Sequence, residues 1–219
     1  MRARQSWYRA YVLFAFIGSL VSFTSAAPLT RSNYTLQAKT HGVVLLDVDW
    51  GRYWSCGGNE NAQLMEIGFD RLPLAEVGSD KPPAELLEGS MISLFEKKGL
   101  QNRALLVEPG EYALTRFSIR VARSVSDVGF QQASRAQLLK DGRPIAGTFR
   151  VAAGEVVYIG NFKLECSPPM ALWRFYTVGK SGFAKHMQEY KASFPFADLD
   201  NVQYRLFDTV TMGLPYELK

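Results

Sequence analysis

Cysteine and histidine are scarce in this 219-residue chain, which holds two of each: Cys56, Cys166, His41 and His186. That scarcity excludes a disulfide-dense miniature scaffold, and two histidines with two distant cysteines make a poor zinc set. No metal or other cofactor is expected. No C-x-x-C pair occurs, which removes a thioredoxin-type redox site. Basic residues do not cluster either. Lys97-Lys98 is the lone basic doublet, whereas a nucleic-acid binder presents a concentrated basic face, so nucleic acid is not an expected partner. Gly179-Lys180-Ser181-Gly182 carries only the tail of a phosphate loop, because Arg174 stands where the first glycine of G-x-x-x-x-G-K-[ST] belongs. There is no G-x-S-x-G elbow. After the first 26 residues no apolar run approaches the roughly 20 residues needed to span a bilayer. The whole chain, 47% apolar and 21% charged, suits one ordinary domain with a sizeable core.

The chain opens with Arg2, Arg4 and Arg9, an apolar run from Tyr11 to Phe23, and the small residues Thr24, Ser25, Ala26 and Ala27. Basic, apolar and small-residue regions in that order make a secretory signal peptide over 1–26, cleaved after Ala26. The alternative is an uncleaved anchor that starts near Trp7. The leader predicts a periplasmic or extracellular location. It also carries three of the 25 Lys+Arg and none of the 21 Asp+Glu, so the formal +4 of the whole chain falls to +1 over residues 27–219. In an oxidising compartment Cys56 and Cys166 are expected to form one disulfide, with a thiol nucleophile or a metal ligand as the alternative reading. The ring between them spans 110 positions, a loop for which chain entropy gives an upper figure of about 4.7 kcal/mol.

Hydrophobic periodicity sets the architecture. Residues 27–40 are polar and aperiodic and read as a flexible lead-in to a single domain over 41–219. Gly42 to Trp50 is an aliphatic strand covered on both faces. Residues 61–70 form a second strand, 71–83 a loop, and 84–98 are ambiguous between helix and strand. Ala104 to Glu108, Pro109-Gly110 and Glu111 to Ala122 read as strand, type II turn and strand, with a phase change at Thr115-Arg116 that predicts a bulge. Ser124 to Ala136 is polar and reads as a long loop. Residues 137–139 and 148–152 are short strands separated by a turn at Asp141-Gly142. Glu155 to Glu165 is a strand whose Gly160 marks a bulge or close approach, and Leu172 to Val178 is another. Phe183, Met187, Tyr190 and Phe194 then take helical spacing. They predict a helix over about 182–194, capped by Ser181 and stopped by Pro195. The segment from Asp198 to Leu206 fits a short helix or a strand. The expected fold is therefore mainly β, an antiparallel β-sandwich with a small C-terminal helical appendage.

The segments Val107-Glu108-Pro109-Gly110-Glu111-Tyr112 and Ala153-Gly154-Glu155-Val156-Val157-Tyr158-Ile159-Gly160 carry a resemblance. Together with Phe194-Pro195, they resemble an uncharacterised group of bacterial secreted and lipoprotein β-sandwich domains. The resemblance covers about residues 104–200 and implies a fold and an envelope location. It carries over no catalytic residue. This chain lacks the lipidated cysteine of such lipoproteins and has a long region over 51–103.

Candidate chemistry is sparse. Asp47 and Asp49 share one face of a strand, about 7 Å apart by strand rise. Such a pair can hold a cation or act as acid and base, or can be two charges near a solvated strand end. His41 could serve them only if the fold turns it toward them, and His186 lies on the flank of the helix. Trp50, Tyr53 and Trp54, beside glycines, suit a platform for a sugar ring or peptide, or core packing behind the disulfide. The leading expectation is an exported, non-enzymatic interaction or envelope-structural module whose partner is an envelope or secreted protein or a glycan. Its candidate binding residues are Trp50, Tyr53, Trp54, Asp47 and Asp49. The alternatives are a secreted hydrolase using His41 with Asp47 or Asp49, and an inhibitor of secreted enzymes.

Overall fold

Segments with period-two apolar patterning pair into two sheets that share one core. The computed structural model describes residues 27–74, 86–89, 99–168, 170–176 and 179–205. In chain order the first elements are β1 (Ala27–Pro28), α1 (Arg31–Gln37), β2 (Gly42–Asp49), β3 (Arg52–Trp54), β4 (Asn61–Leu72) and β5 (Leu86–Gly89). Next come β6 (Leu100–Val107), β7 (Gly110–Ala122), β8 (Val128–Ala133), α2 (Arg135–Leu138), β9 (Leu139–Lys140) and β10 (Arg143–Pro144). The chain continues through β11 (Thr148–Val151), β12 (Val156–Glu165), β13 (Ala171–Phe175), α3 (Gly179–Ser193) and β14 (Gln203–Tyr204). The expected leader over 1–26 lies outside the described residues, as does most of the ambiguous 84–98 stretch, of which β5 is strand.

One six-stranded sheet has the order β1-β6-β2-β12-β13, with β14 also pairing β12; the other runs β11-β7-β4-β3, with β5 on β4 and β8 on β7, and β9 pairs β10 in a separate two-stranded sheet. Pairing is antiparallel apart from β2 with β12 and β12 with β14, which are parallel. The layers meet through apolar side chains such as Phe69 of β4, whose ring lies edge-on to Phe162 of β12 at 6.1 Å. All eight residues of β2 are buried, because the second sheet covers one of its faces and α3 the other. The fold class read from the sequence is the one observed: mainly β, with a small helix near the C-terminus.

Both predicted bulges are present. Gly68 pairs with Arg116 and Phe69 with Leu114, which leaves Thr115 extra. That offset turns Thr115 inward, where its hydroxyl donates to the buried Asp70 carboxylate. Arg135 completes the cluster with a hydrogen bond from Nε to Asp70 Oδ2 and an ion-pair contact from Nη2 to Oδ1, each 2.7 Å, and so ties α2 to β4. In β12 the register with β2 shifts between Tyr158 and Asn161. Gly160 there has φ +110°, and a Cβ on it would lie 2.9 Å from the Tyr176 ring.

Several expectations need correction. Pro109-Gly110 does not make a type II turn between paired strands: β6 and β7 belong to different sheets, and Gly110 is not among the positive-φ glycines. Its small size matters instead, since a Cβ would meet Arg71 Cδ at 2.7 Å. The 124–136 stretch is not a long loop. A tight turn closes with Arg123 N–H donating to Asp127 O at 2.9 Å, and β8 then pairs with β7. The 27–40 segment is not a plain flexible lead-in, because Thr30 and Asn33 form a reciprocal capping box that starts α1. Leu29 is buried before it. Ser181 sits inside α3 rather than at its cap, since the helix begins at Gly179. Within residues 198–205, Gln203–Tyr204 takes the strand alternative as β14.

Cys56 and Cys166 are bonded, with Cα atoms 4.8 Å apart, and join the turn after β3 to the end of β12 across the two layers. Replacing both with serine is expected to lower unfolding free energy by about 2–5 kcal/mol in urea titration while leaving the far-ultraviolet β signal intact. An unchanged urea midpoint would contradict a stabilising cross-link. Arg135→Ala leaves the Asp70 carboxylate buried without its cation, and a loss of about 3–5 kcal/mol is expected in the same assay.

Candidate functional site

Asp47 faces α3 rather than solvent, and its surroundings come from three elements. Along β2, Leu45 and Asp47 alternate with the core residues Val44, Leu46 and Val48 and so point away from the second sheet. The bulge at Gly160 brings Asn161 into register with Asp47. Tyr158, before the bulge, donates its hydroxyl to Asn161 Oδ1 at 2.6 Å. From above, α3 places His186 and Tyr190 one helical turn apart. His186 Nε2 lies 2.7 Å from Asp47 Oδ2, and the Tyr190 hydroxyl donates to the same oxygen at 3.0 Å. Glu189 Oε2 approaches the other ring nitrogen, Nδ1, at 3.4 Å.

Electrostatics follow from burial. The Asp47 side chain is wholly buried and that of His186 only 12% exposed. Burial works against the charged imidazole, but its hydrogen bonds to Asp47 and Glu189 and their negative charge outweigh it, and the His186 pKa is raised. Burial, reinforced by the charge of Asp47, pushes the Tyr190 phenol well above its ordinary value, so it stays a donor. With His186 protonated, the cluster is an ion pair with both imidazole nitrogens engaged. Its chemistry is that of a latch holding α3 on the sheet.

Asp49 is used differently. Its Oδ1 accepts from Gly51 N–H at 2.9 Å and Gly99 N–H at 3.1 Å, while Oδ2 accepts the Tyr53 hydroxyl at 2.7 Å. Burial first, and then that bond to Asp49, raise the Tyr53 phenol. Asp49 thus closes the turn after β2 and anchors the residue before β6. The carboxylate pair is not at a solvated strand end: both members are buried.

The aromatic platform is not assembled. Trp50 is fully buried in the core, Tyr53 is half-buried on Asp49, and Trp54 alone is open, 64% exposed with the Arg52 guanidinium 5.7 Å from its ring centroid. His41 does not reach the aspartates. Its Nδ1 lies 3.0 Å from Thr40 Oγ1, and six residues of extended β2 put Asp47 about 20 Å farther along the strand. The histidine that meets Asp47 is His186, which sequence reading placed on a helix flank without a partner. No group of three or more His, Cys, Asp or Glu suited to a metal ion occurs among the described residues.

The surface feature missed from sequence is β8. Its six residues carry no charge and are exposed almost throughout. Val125 in the preceding turn and Phe130 on the strand are 94% and 56% exposed, and Val128 is exposed beside Phe130. Alternation of Val128 and Phe130 was the available signal, obscured by the polar residues between and around them. Compared with protein-family models, curated proteins and solved structures, the chain matches none.

Because the His186 pKa is raised in the folded state, the charged latch contributes fully below the ordinary histidine range and is lost as pH rises through the folded value. His186→Ala is expected to cost about 3 kcal/mol at about pH 6 and distinctly less at about pH 9, measured by urea unfolding. A cost independent of pH would show that the ion pair does not hold the helix.

Proposed function

We propose that this chain is an exported, non-enzymatic interaction module of the cell envelope or extracellular space, docking a partner along the open edge of β8. The observation that carries this reading is the uncharged strand β8, exposed at Val128 and Phe130 and unpaired along its outer edge among the described residues, a kind of edge that offers a template for pairing with another chain. The ionisable groups nominated for catalysis are occupied elsewhere. Asp49 closes a turn, Asp47 is bonded to His186 and Tyr190, and His41 stands apart. Export is supported by the leader pattern over 1–26 and by the inter-layer disulfide, which persists in oxidising compartments. No helix among the described residues is long and apolar enough to cross a membrane.

A photo-reactive residue at position 130, installed in the full-length protein in its native host, is expected to give a covalent adduct on irradiation. The same residue at exposed Leu36 of α1 should give none, and Val128→Lys should weaken the adduct at 130. Intact-mass analysis of that material should find Ala27 as the first residue. Adducts as strong from position 36 as from 130, or a retained initiator methionine, would defeat the proposal.

A further inference from the structure

We infer that the occupant of the β8 edge is β8 of a second copy, paired antiparallel about a two-fold axis through Phe130. This rests on the reading of β8 as the docking surface and names its partner. The ladder fixes which groups are free. Arg123 N–H donates to Asp127 O, and the register continues as Val121 with Gly129, Ile119 with Gln131 and Phe117 with Ala133. In an antiparallel ladder hydrogen-bonded pairs alternate with non-bonded ones. Gly129, Gln131 and Ala133 therefore turn their amide groups toward β7, and Val128, Phe130 and Gln132 turn theirs outward. Among the described residues nothing pairs with β8 on that side.

A symmetric partner satisfies this edge in full. A two-fold axis at Phe130 sets Val128 against Gln132 of the copy and Phe130 against its own counterpart, so all three outward residues of each strand find bonded partners. Such an isologous contact is self-complementary by construction. Charge permits it. The strand carries no ionised residue, and the exposed pair at its start, Arg123 and Asp127, is already internally matched at 3.5 Å. Residues 27–219 carry only +1, so two copies repel weakly. Recognition of a foreign extended peptide draws specificity from pockets for alternate side chains, whereas the first five residues of β8 are exposed in succession, on both faces of the strand. The edge is also held in place, by the turn at Arg123–Asp127 on one side and by Arg135 on the buried Asp70 on the other.

The test uses the exported, disulfide-bonded protein. Sedimentation should show a monomer at low concentration passing to twice that mass as concentration rises. Phe130→Glu, which opposes two carboxylates at the axis on an exposed site, should remain monomeric with an unchanged circular dichroism spectrum. Phe130→Cys brings two Cα atoms to about 5.5 Å in a bonded pair, inside the disulfide range, and should cross-link rapidly into a dimer. Val125→Cys lies in the turn beyond Asp127, and the strand alone sets Asp127 and its counterpart about 20 Å apart by strand rise, so this variant should not. A wild-type monomer at every concentration, or equal cross-linking of the two cysteine variants, overturns the second-copy assignment. If position 130 then photo-cross-links another protein in cells, the interaction-module reading survives while this inference falls. If position 130 captures neither a copy nor another protein, both fall.

Discussion

Parallel pairing of β2 with β12 is the contact on which the rest of the structure is built. These two strands sit at the centre of one sheet and are separated in sequence by β3 to β11. Their register decides what lies under α3. The slip at Gly160 puts Asn161 beside Asp47 and leaves Tyr158 beside Leu45. Tyr158 consequently meets Phe183, His186 and Tyr190 of the helix and Tyr204 of β14. The same strand ends at Glu165, next to the cysteine that joins the second layer. A long-range parallel pair closes only after a large loop has been ordered. The disulfide, spanning much of that same loop, offsets this by restricting the unfolded chain.

Placing a carboxylate beneath the helix is costly unless it is matched. A buried unpaired ion loses several kcal/mol of hydration, and burial of an ion pair seldom adds net stability over apolar packing. Asp47 Oδ1 is itself buried without a hydrogen bond, so the contacts to Oδ2 carry the compensation. The physical gain is in orientation. Apolar residues Met187 and Phe183 would tolerate several rotations of α3 about its axis, whereas one oxygen receiving both His186 and Tyr190 admits only one. Asp70 serves the second layer in the same way, fixing α2 through a two-pronged contact with Arg135. Each layer thus has one buried carboxylate that specifies the position of a helix.

Features encoded within a few residues were legible from the sequence. β2, β4 and β7 follow from aliphatic alternation, Thr115 from a broken phase, Gly160 from an interruption in a strand, and the inward face of α3 from helical spacing. The cysteine pairing followed from count and from the expectation of an oxidising compartment. Features set by distant partners were not legible. His186 and Asp47 are 139 positions apart, and neither neighbourhood announces the other. The placement of β6 and β7 in separate layers depends on the whole sheet order, while Pro109-Gly110 looks the same in a hairpin as in a crossover. Helix α1 is short and has no buried face, so only its Thr30 and Asn33 capping pair could have revealed it. Trp50 and Trp54 differ by four residues and by complete burial against open exposure, a contrast that composition cannot express.

The β8 edge gains meaning by comparison with other outer strands. Proteins protect such edges by shortness, charge or proline. Here β1 is two residues long and contains Pro28, β3 is three residues long with Arg52, and β11 is four residues long with Arg150 paired to Glu111. None of these devices occurs in β8, which has six residues and not one that is charged. An edge of that kind invites pairing, and leaving it bare exposes the molecule to open-ended association. A two-fold contact removes the hazard by closing on itself: once two copies pair, both edges are consumed and no further strand can add. The contrast between bare β8 and the protected edges of β1, β3 and β11 is therefore the one that closed two-fold pairing requires.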